Sequence, residues 1–236
     1  MNRSLVSVLA AAVLAILLLA FAPVLWQMWH GSAEAGRANL DLPWQIETPG
    51  PGRSRVFGLE PGQSRLADAQ ARWGDGIRLA LLARDGEAGQ LEAYVEQAQL
   101  GFIGGRLVLT AALPEALARR FQQGASKVEP LASGARRYQL AAADEAEAWA
   151  QTLQSLSLLP SARLDEPTLR ERFGAPEERL VLADQAHLLY PARGLDLTVA
   201  ADGKPARVLM QYVAPRDFQR LRAPLANASA QNGAGQ

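Results

Sequence analysis

The hydrophobic pattern divides the chain into one long apolar run and a remainder in which short apolar stretches alternate with turns. The run is Leu5 to Trp26, LVSVLAAAVLAILLLAFAPVLW, in which Ser7 is the one hydroxyl and no side chain ionises. As a helix these 22 positions reach about 33 Å, enough to cross a hydrocarbon core of about 30 Å. Trp26 and Trp29 fall where the far interface would lie, and Arg3 precedes the run. Residues 1–29 are therefore expected to be a signal-anchor transmembrane helix, with the N-terminus in the cytoplasm and the bulk of the chain outside it. Ala20-Phe21-Ala22 has the small-x-small form of a cleavage site, but Pro23 would become the first mature residue and the run exceeds a usual signal-peptide core, so retention is expected.

Residues 30–55, with PGPG at 49–52, show no sustained period and read as a flexible linker; Trp44 within it could touch either the bilayer or the folded body. The uncharged stretch 223–236 reads as a disordered tail. Between them the chain states one pattern twice, as units 56–140 and 159–222. Leu59 to Gly74 and Leu159 to Gly174 each place a helix-start residue (Ser64, Asp165) before a short helix, and each ends on Arg-aromatic-Gly: Arg72-Trp73-Gly74 and Arg172-Phe173-Gly174. Trp73 and Phe173 are expected to pack each helix end on its own sheet, with Gly74 and Gly174 at positive φ as helix stops.

Two-residue alternation follows in both units. The predicted strands are 77–83, 91–98, 106–113 and 137–140, then 179–182, 187–190, 195–200 and 207–213, with turns at Asp85-Gly86 and Asp202-Gly203. Helices are expected at 114–121 and 215–221. Trp149, Leu153 and Leu156, spaced as one helical face, predict a connecting helix over 141–158. The fold class read from this pattern is α+β: a transmembrane helix, then two similar units of short helix plus antiparallel meander, with the helices on one face of the sheet.

Gly174-Ala175-Pro176, Tyr190, Gly194-Leu195 and Asp202-Gly203-Lys204, with Leu59-Glu60-Pro61-Gly62-Gln63-Ser64 and Trp73-Gly74, resemble the small lipoprotein of the outer-membrane β-barrel assembly machinery. The chain departs from that family in lacking a lipidated cysteine and in having no proline after Gly74. As a whole it also resembles single-pass periplasmic proteins of Gram-negative bacteria. The apolar run 5–26 gives the expected inner-membrane location and periplasmic body, and the resemblance to the assembly lipoprotein implies a protein partner in the cell envelope.

Composition narrows the chemistry. Lys and Arg number 24 and so do Asp and Glu, which removes nucleic-acid binding through bulk charge. There is no cysteine, hence no disulfide, thiolate metal site or cysteine nucleophile. Of two histidines, His30 follows the apolar run, and His187 lies near Asp184 and Tyr190 in sequence, too few ligands for zinc. Gly101-Phe102-Ile103-Gly104-Gly105 matches no phosphate-binding loop and reads as a turn or bulge between strands. Asp144, Glu145 and Glu147 suit a helix start, and Arg119-Arg120 and Arg136-Arg137 suit a solvated surface. No catalytic, cofactor or metal residue is assigned. The expected function is a membrane-anchored interaction or assembly module; the alternative is a periplasmic enzyme using dispersed carboxylates such as Asp184 and Glu178, and a third reading is a ligand pocket between the two units.

Overall fold

The computed structural model describes residues 41–233. The expected anchor, including Arg3, Trp26, Trp29 and His30, lies outside the described residues, as do linker residues 30–40 and tail residues 234–236. Among the described residues no helix is long and apolar enough to cross a membrane.

Strands β1 (Glu47–Gly50) and β2 (Arg53–Arg55) form a hairpin closed by Pro51-Gly52, with Gly52 at φ 66°. Helix α1 (Leu66–Trp73) precedes a meander of β3 (Ile77–Ala83), β4 (Gln90–Leu100) and β5 (Ile103–Ala111). Helix α2 (Glu115–Gln123), hairpin β6 (Lys127–Pro130) and β7 (Arg136–Gln139), and α3 (Ala142–Trp149) lead to β8 (Leu153–Pro160). Then come α4 (Glu166–Phe173), a second meander of β9 (Glu178–Leu182), β10 (Gln185–Tyr190), β11 (Leu195–Ala200) and β12 (Leu209–Val213), and α5 (Gln219–Gly233). The protein is thus α+β. Ten strands form one antiparallel sheet in the order β6-β7-β3-β4-β5-β8-β12-β11-β10-β9.

Register explains the core. One cross-strand row runs Ile77, Val95, Leu107, Leu158, Met210, Leu197, Leu188, and every member is buried in the main core. One residue along each strand, the row Arg78, Tyr94, Val108, Ser157, Gln211, Asp196, Leu189 points to the opposite face. The period of two therefore gives each face its own chemistry. Helices α1 to α4 cover the first face through Leu66, Ala69, Ala118, Phe121, Ala148, Leu169 and Phe173, all in the same core.

The structure corrects four expectations. The connecting helix over 141–158 stops at Trp149, and Leu153–Pro160 is a central strand. A bulge is the reason: Ala111 pairs Leu153 while Thr110 pairs Ser155, so the extra residue turns Leu153 and Leu156 to one face at helix-like spacing. Residues 41–55 of the expected linker belong to the folded body. Leu42 is buried, the Trp44 ring meets Phe173 edge-on at 6.2 Å, and the Tyr212 hydroxyl donates to the Pro43 carbonyl at 3.0 Å. The tail is helical from Gln219 to Gly233 because Leu221 and Leu225, one turn apart, have an apolar surface to meet. Finally, that surface lies on the second face of the sheet. Phe218, Leu221 and Leu225 pack on Leu180, Leu189 and Val213, so the helices do not share one face.

Candidate functional site

Helix α5 covers the second face only over β9, β10 and β12. Across β3, β4 and β5 the same face is open, and its half-buried Leu82, Tyr94 and Val108 are not closed over by any described helix. A notch of about 140 Å³ sits there, walled by Leu82, Glu92, Tyr94, Val108 and Arg137, with Glu96 and Arg106 at its rim. The alternation in β4 makes this wall: Leu91, Ala93 and Val95 enter the core, and Glu92 and Tyr94 face out. Arg137 comes from β7, opposite Leu82 of β3.

Among the described residues, the notch holds one donor without an acceptor and one carboxylate outside any ion pair. The Arg137 guanidinium lies over the Tyr94 ring at 5.4 Å, and its Nε–H is buried without an acceptor. An unpaired buried donor costs about 1–3 kcal/mol, and the rest of the Arg137 side chain, 38% exposed, can be reached by an acceptor from outside. The nearest carboxylate to this guanidinium, Glu129, stands 3.9 Å from Nη1 and is held by Lys127 at 2.6 Å. Burial pushes the Glu92 carboxyl above the usual carboxylate range, with Arg137 pulling it partly back. Among the described residues no cation stands within ion-pair distance of Glu92. Arg106 and Glu96 pair at 2.8 Å.

A far larger cleft, about 1020 Å³, opens between α1 and the β1–β2 hairpin. Its charges already satisfy one another: Arg72 pairs Asp41, Arg55 reaches Glu47 at 3.3 Å, and buried Glu60 takes Arg53 Nη2 at 3.0 Å. The hydrogen bond from Arg53 holds the Glu60 carboxyl below the usual range. This cleft is the bigger space, and the notch is the place with unspent polar groups.

The residues singled out by sequence scatter over the fold. Phe173 is buried against Trp44 and Tyr190, and Trp73 is half-buried against the main core. Gly74 has φ 51° and ψ −128°, and Gly174 has φ 83° and ψ −176°. Both φ are positive, but ψ places Gly174 in the region that only glycine uses comfortably, not in the left-handed helical well. Asp165 caps α4, accepting from the Thr168 N–H at 2.9 Å, and hydrogen bonds from the Thr168 side chain and then from its N–H lower its pKa. Ser64 does not cap α1: it accepts from the Glu60 N–H at 3.1 Å, and Asp68 accepts from the Arg65 N–H instead. Gly101-Phe102 forms the β4–β5 hairpin turn.

His187 is paired, though not with Asp184. Its Nδ1 lies 2.9 Å from Oδ2 of Asp196 on β11, both side chains being buried, while Oδ1 of Asp196 has no partner among the described residues. Tyr190 turns to the other face, where its hydroxyl donates to the Gly174 carbonyl at 2.9 Å. Asp184 and Glu178 do not converge. They stand six residues apart along one hairpin arm, about 20 Å, and Glu178 is held by Arg222 in a fork at 2.9 and 3.2 Å. Arg119, Arg120 and Arg136 pair with Glu115, Glu147 and Asp85, which leaves Arg137 as the member of the arginine pairs with an unspent donor. Among the described residues no cluster of three metal-ligating side chains occurs.

Comparison with protein-family models, curated proteins and solved structures finds no match to this chain.

Proposed function

We propose that this protein is a single-pass inner-membrane protein whose body, in the periplasm, holds a protein partner of the cell envelope against the open part of the sheet. The observation that carries the binding role is the notch: among the described residues, a guanidinium with a buried, unbonded N–H and a desolvated carboxylate outside any ion pair share a sheet face that no described helix covers. Binding energy at interfaces concentrates in Trp, Tyr and Arg side chains, two of which, Tyr94 and Arg137, meet here. The membrane placement rests on the uncharged run 5–26 with Arg3 before it. The body reads as two similar units. Helices α1 and α4 occupy 66–73 and 166–173, each ends on a glycine at positive φ, and each precedes an antiparallel meander. The resemblance to the β-barrel assembly lipoprotein supports an assembly role. No cofactor enters this reading.

A photo-crosslinking residue at Val108, in the full chain in cells, tests the reading. Adducts in the membrane fraction are expected from Val108 and not from the same residue at exposed Phe102. Adducts from Phe102 alone would reject it. A C-terminal alkaline phosphatase fusion is expected to be active, and an inactive one would reject the topology. The His187–Asp196 bond favours a second reading, an enzyme with His187 as its base. That reading requires His187→Gln to abolish cellular function with the fold intact, whereas a binding module requires His187→Gln to leave function in place.

A further inference from the structure

The second face of the sheet displays, in one place, how it accepts a helix. Helix α5 lies over the β9–β12 half with Phe218, Leu221 and Leu225 against Leu189 and Val213. Its Arg222 forks onto Glu178 of edge strand β9. The row Leu189, Asp196, Gln211, Ser157, Val108, Tyr94 joins that half to the open half without changing face. In the open half the apolar floor is Leu82, Tyr94 and Val108, and the charge sits next to the other edge strand, as Arg137 of β7. Here the sheet carries the cation, and Arg137 makes no hydrogen bond to a carboxylate among the described residues, its one ion-pair contact being Glu129 at 3.9 Å.

Resting on the reading that this face docks a partner, we infer that the occupant is an amphipathic helix of the partner protein that carries a carboxylate. Its apolar stripe would lie on Leu82, Tyr94 and Val108 as the stripe of α5 lies on Leu189 and Val213. Its Asp or Glu would accept from the Arg137 guanidinium, whose stacking on Tyr94 fixes the fork in advance. Glu92 lines the same notch, so a helix presenting a second acid next to the first is disfavoured. A second copy of this chain does not supply the occupant from α5, because Gln219–Gly233 contains neither Asp nor Glu.

The probe is a fluorescein-labelled 15-residue Ala/Leu amphipathic peptide with one central Glu, compared with the same peptide carrying Lys, and with a Glu peptide broken by two prolines. Anisotropy is read with the full chain in nanodiscs, after subtraction of empty nanodiscs. The Glu helix is expected to bind the wild type at least about tenfold more tightly than the Lys helix, the difference one good charged hydrogen bond makes. Arg137→Ala should erase that preference and Arg119→Ala should keep it. Val108→Asp, which leaves Arg137 in place, should weaken the Glu helix about tenfold or more and guards against an Arg137 variant that misfolds. A preference surviving in Arg137→Ala, or equal binding of the proline-broken peptide, would overturn the inference. If Val108 crosslinks in cells and the peptide shows no charge preference, a partner docks here and the carboxylate-bearing helix is wrong; if Val108 does not crosslink, the docking reading itself falls.

Discussion

Two backbone positions show what single residues cost. Ala183, the first central residue of the two-residue β9–β10 turn, has φ 54°. Turns of this kind favour glycine at that position, because a Cβ crowds the backbone. Ala183→Gly should raise stability by up to about 1 kcal/mol, read as a higher denaturation midpoint. Gly194 is the opposite case: φ is 69° and a Cβ would run into the Val213 carbonyl oxygen, so Gly194→Ala should destabilise by about 2 kcal/mol or more. Around Gly174 there is open space, so Gly174→Ala loses only backbone energy, about 1–3 kcal/mol. Glu92 sets a pH dependence. Its folded-state pKa is raised by burial, so ionising it opposes folding. Stability should fall as pH rises from the ordinary carboxylate range through the raised value, and stay flat above it. Glu92→Gln should remove that step in urea titrations at successive pH values; an unchanged profile would show that Glu92 does not titrate in this way. None of these positions stood out in the sequence except the glycines. Arg137 read as half of a surface arginine pair, since its partner Tyr94 lies 43 residues earlier and two strands away.

Strands with clean alternation were legible: Ile77–Ala83 and Leu195–Ala200 have the bounds the pattern predicts. Elements failed where the period was disturbed or the stabilising surface was distant. β8 was misread because its bulge mimics a helical face. α5 was misread because its stripe of Phe218, Leu221 and Leu225 is short, and Leu189 and Val213, which it covers, belong to other strands. The same cause hid the open half of the face. Polar positions on β4 were readable, but which half of the sheet a helix would cover was not. Helix α5 should therefore be held by tertiary contacts more than by its own propensity, with Pro224 inside it and an uncharged sequence beyond Arg222. Phe218→Ala should cost about 3–5 kcal/mol if the site does not collapse. Its expected signature is rapid proteolysis within 219–233 at a point where the sheet still resists; cleavage in β10 or β11 at the same rate would show that α5 and the sheet unfold together.

At the scale of the whole molecule, the two meanders share one sheet. β8 pairs β5 on one side and β12 on the other, so it belongs to both halves. A chain ending at residue 150 would leave the inner edge of β5 unpaired and Leu107 and Leu109 without Leu158 and Leu156 beside them. It should be insoluble, whereas a soluble, cooperatively unfolding fragment would argue for independent domains. The first described residues are also fixed to the second half: the Pro43 carbonyl to Tyr212 on β12, and Trp44 to Phe173 at the end of α4. That attachment has a mechanical consequence. Tension arriving along the N-terminal chain enters the body through β12 and α4, while a load on the open part of the sheet enters through β4 and β7. The two lines of force meet at β8, which bears them through hydrogen-bonded neighbours on both sides. Pulled between those points, the protein should yield first at the Pro43–Trp44 attachment, peeling the arm and β1–β2 away before the sheet gives. In a force-extension trace this would appear as a small early step of slack ahead of one large rupture.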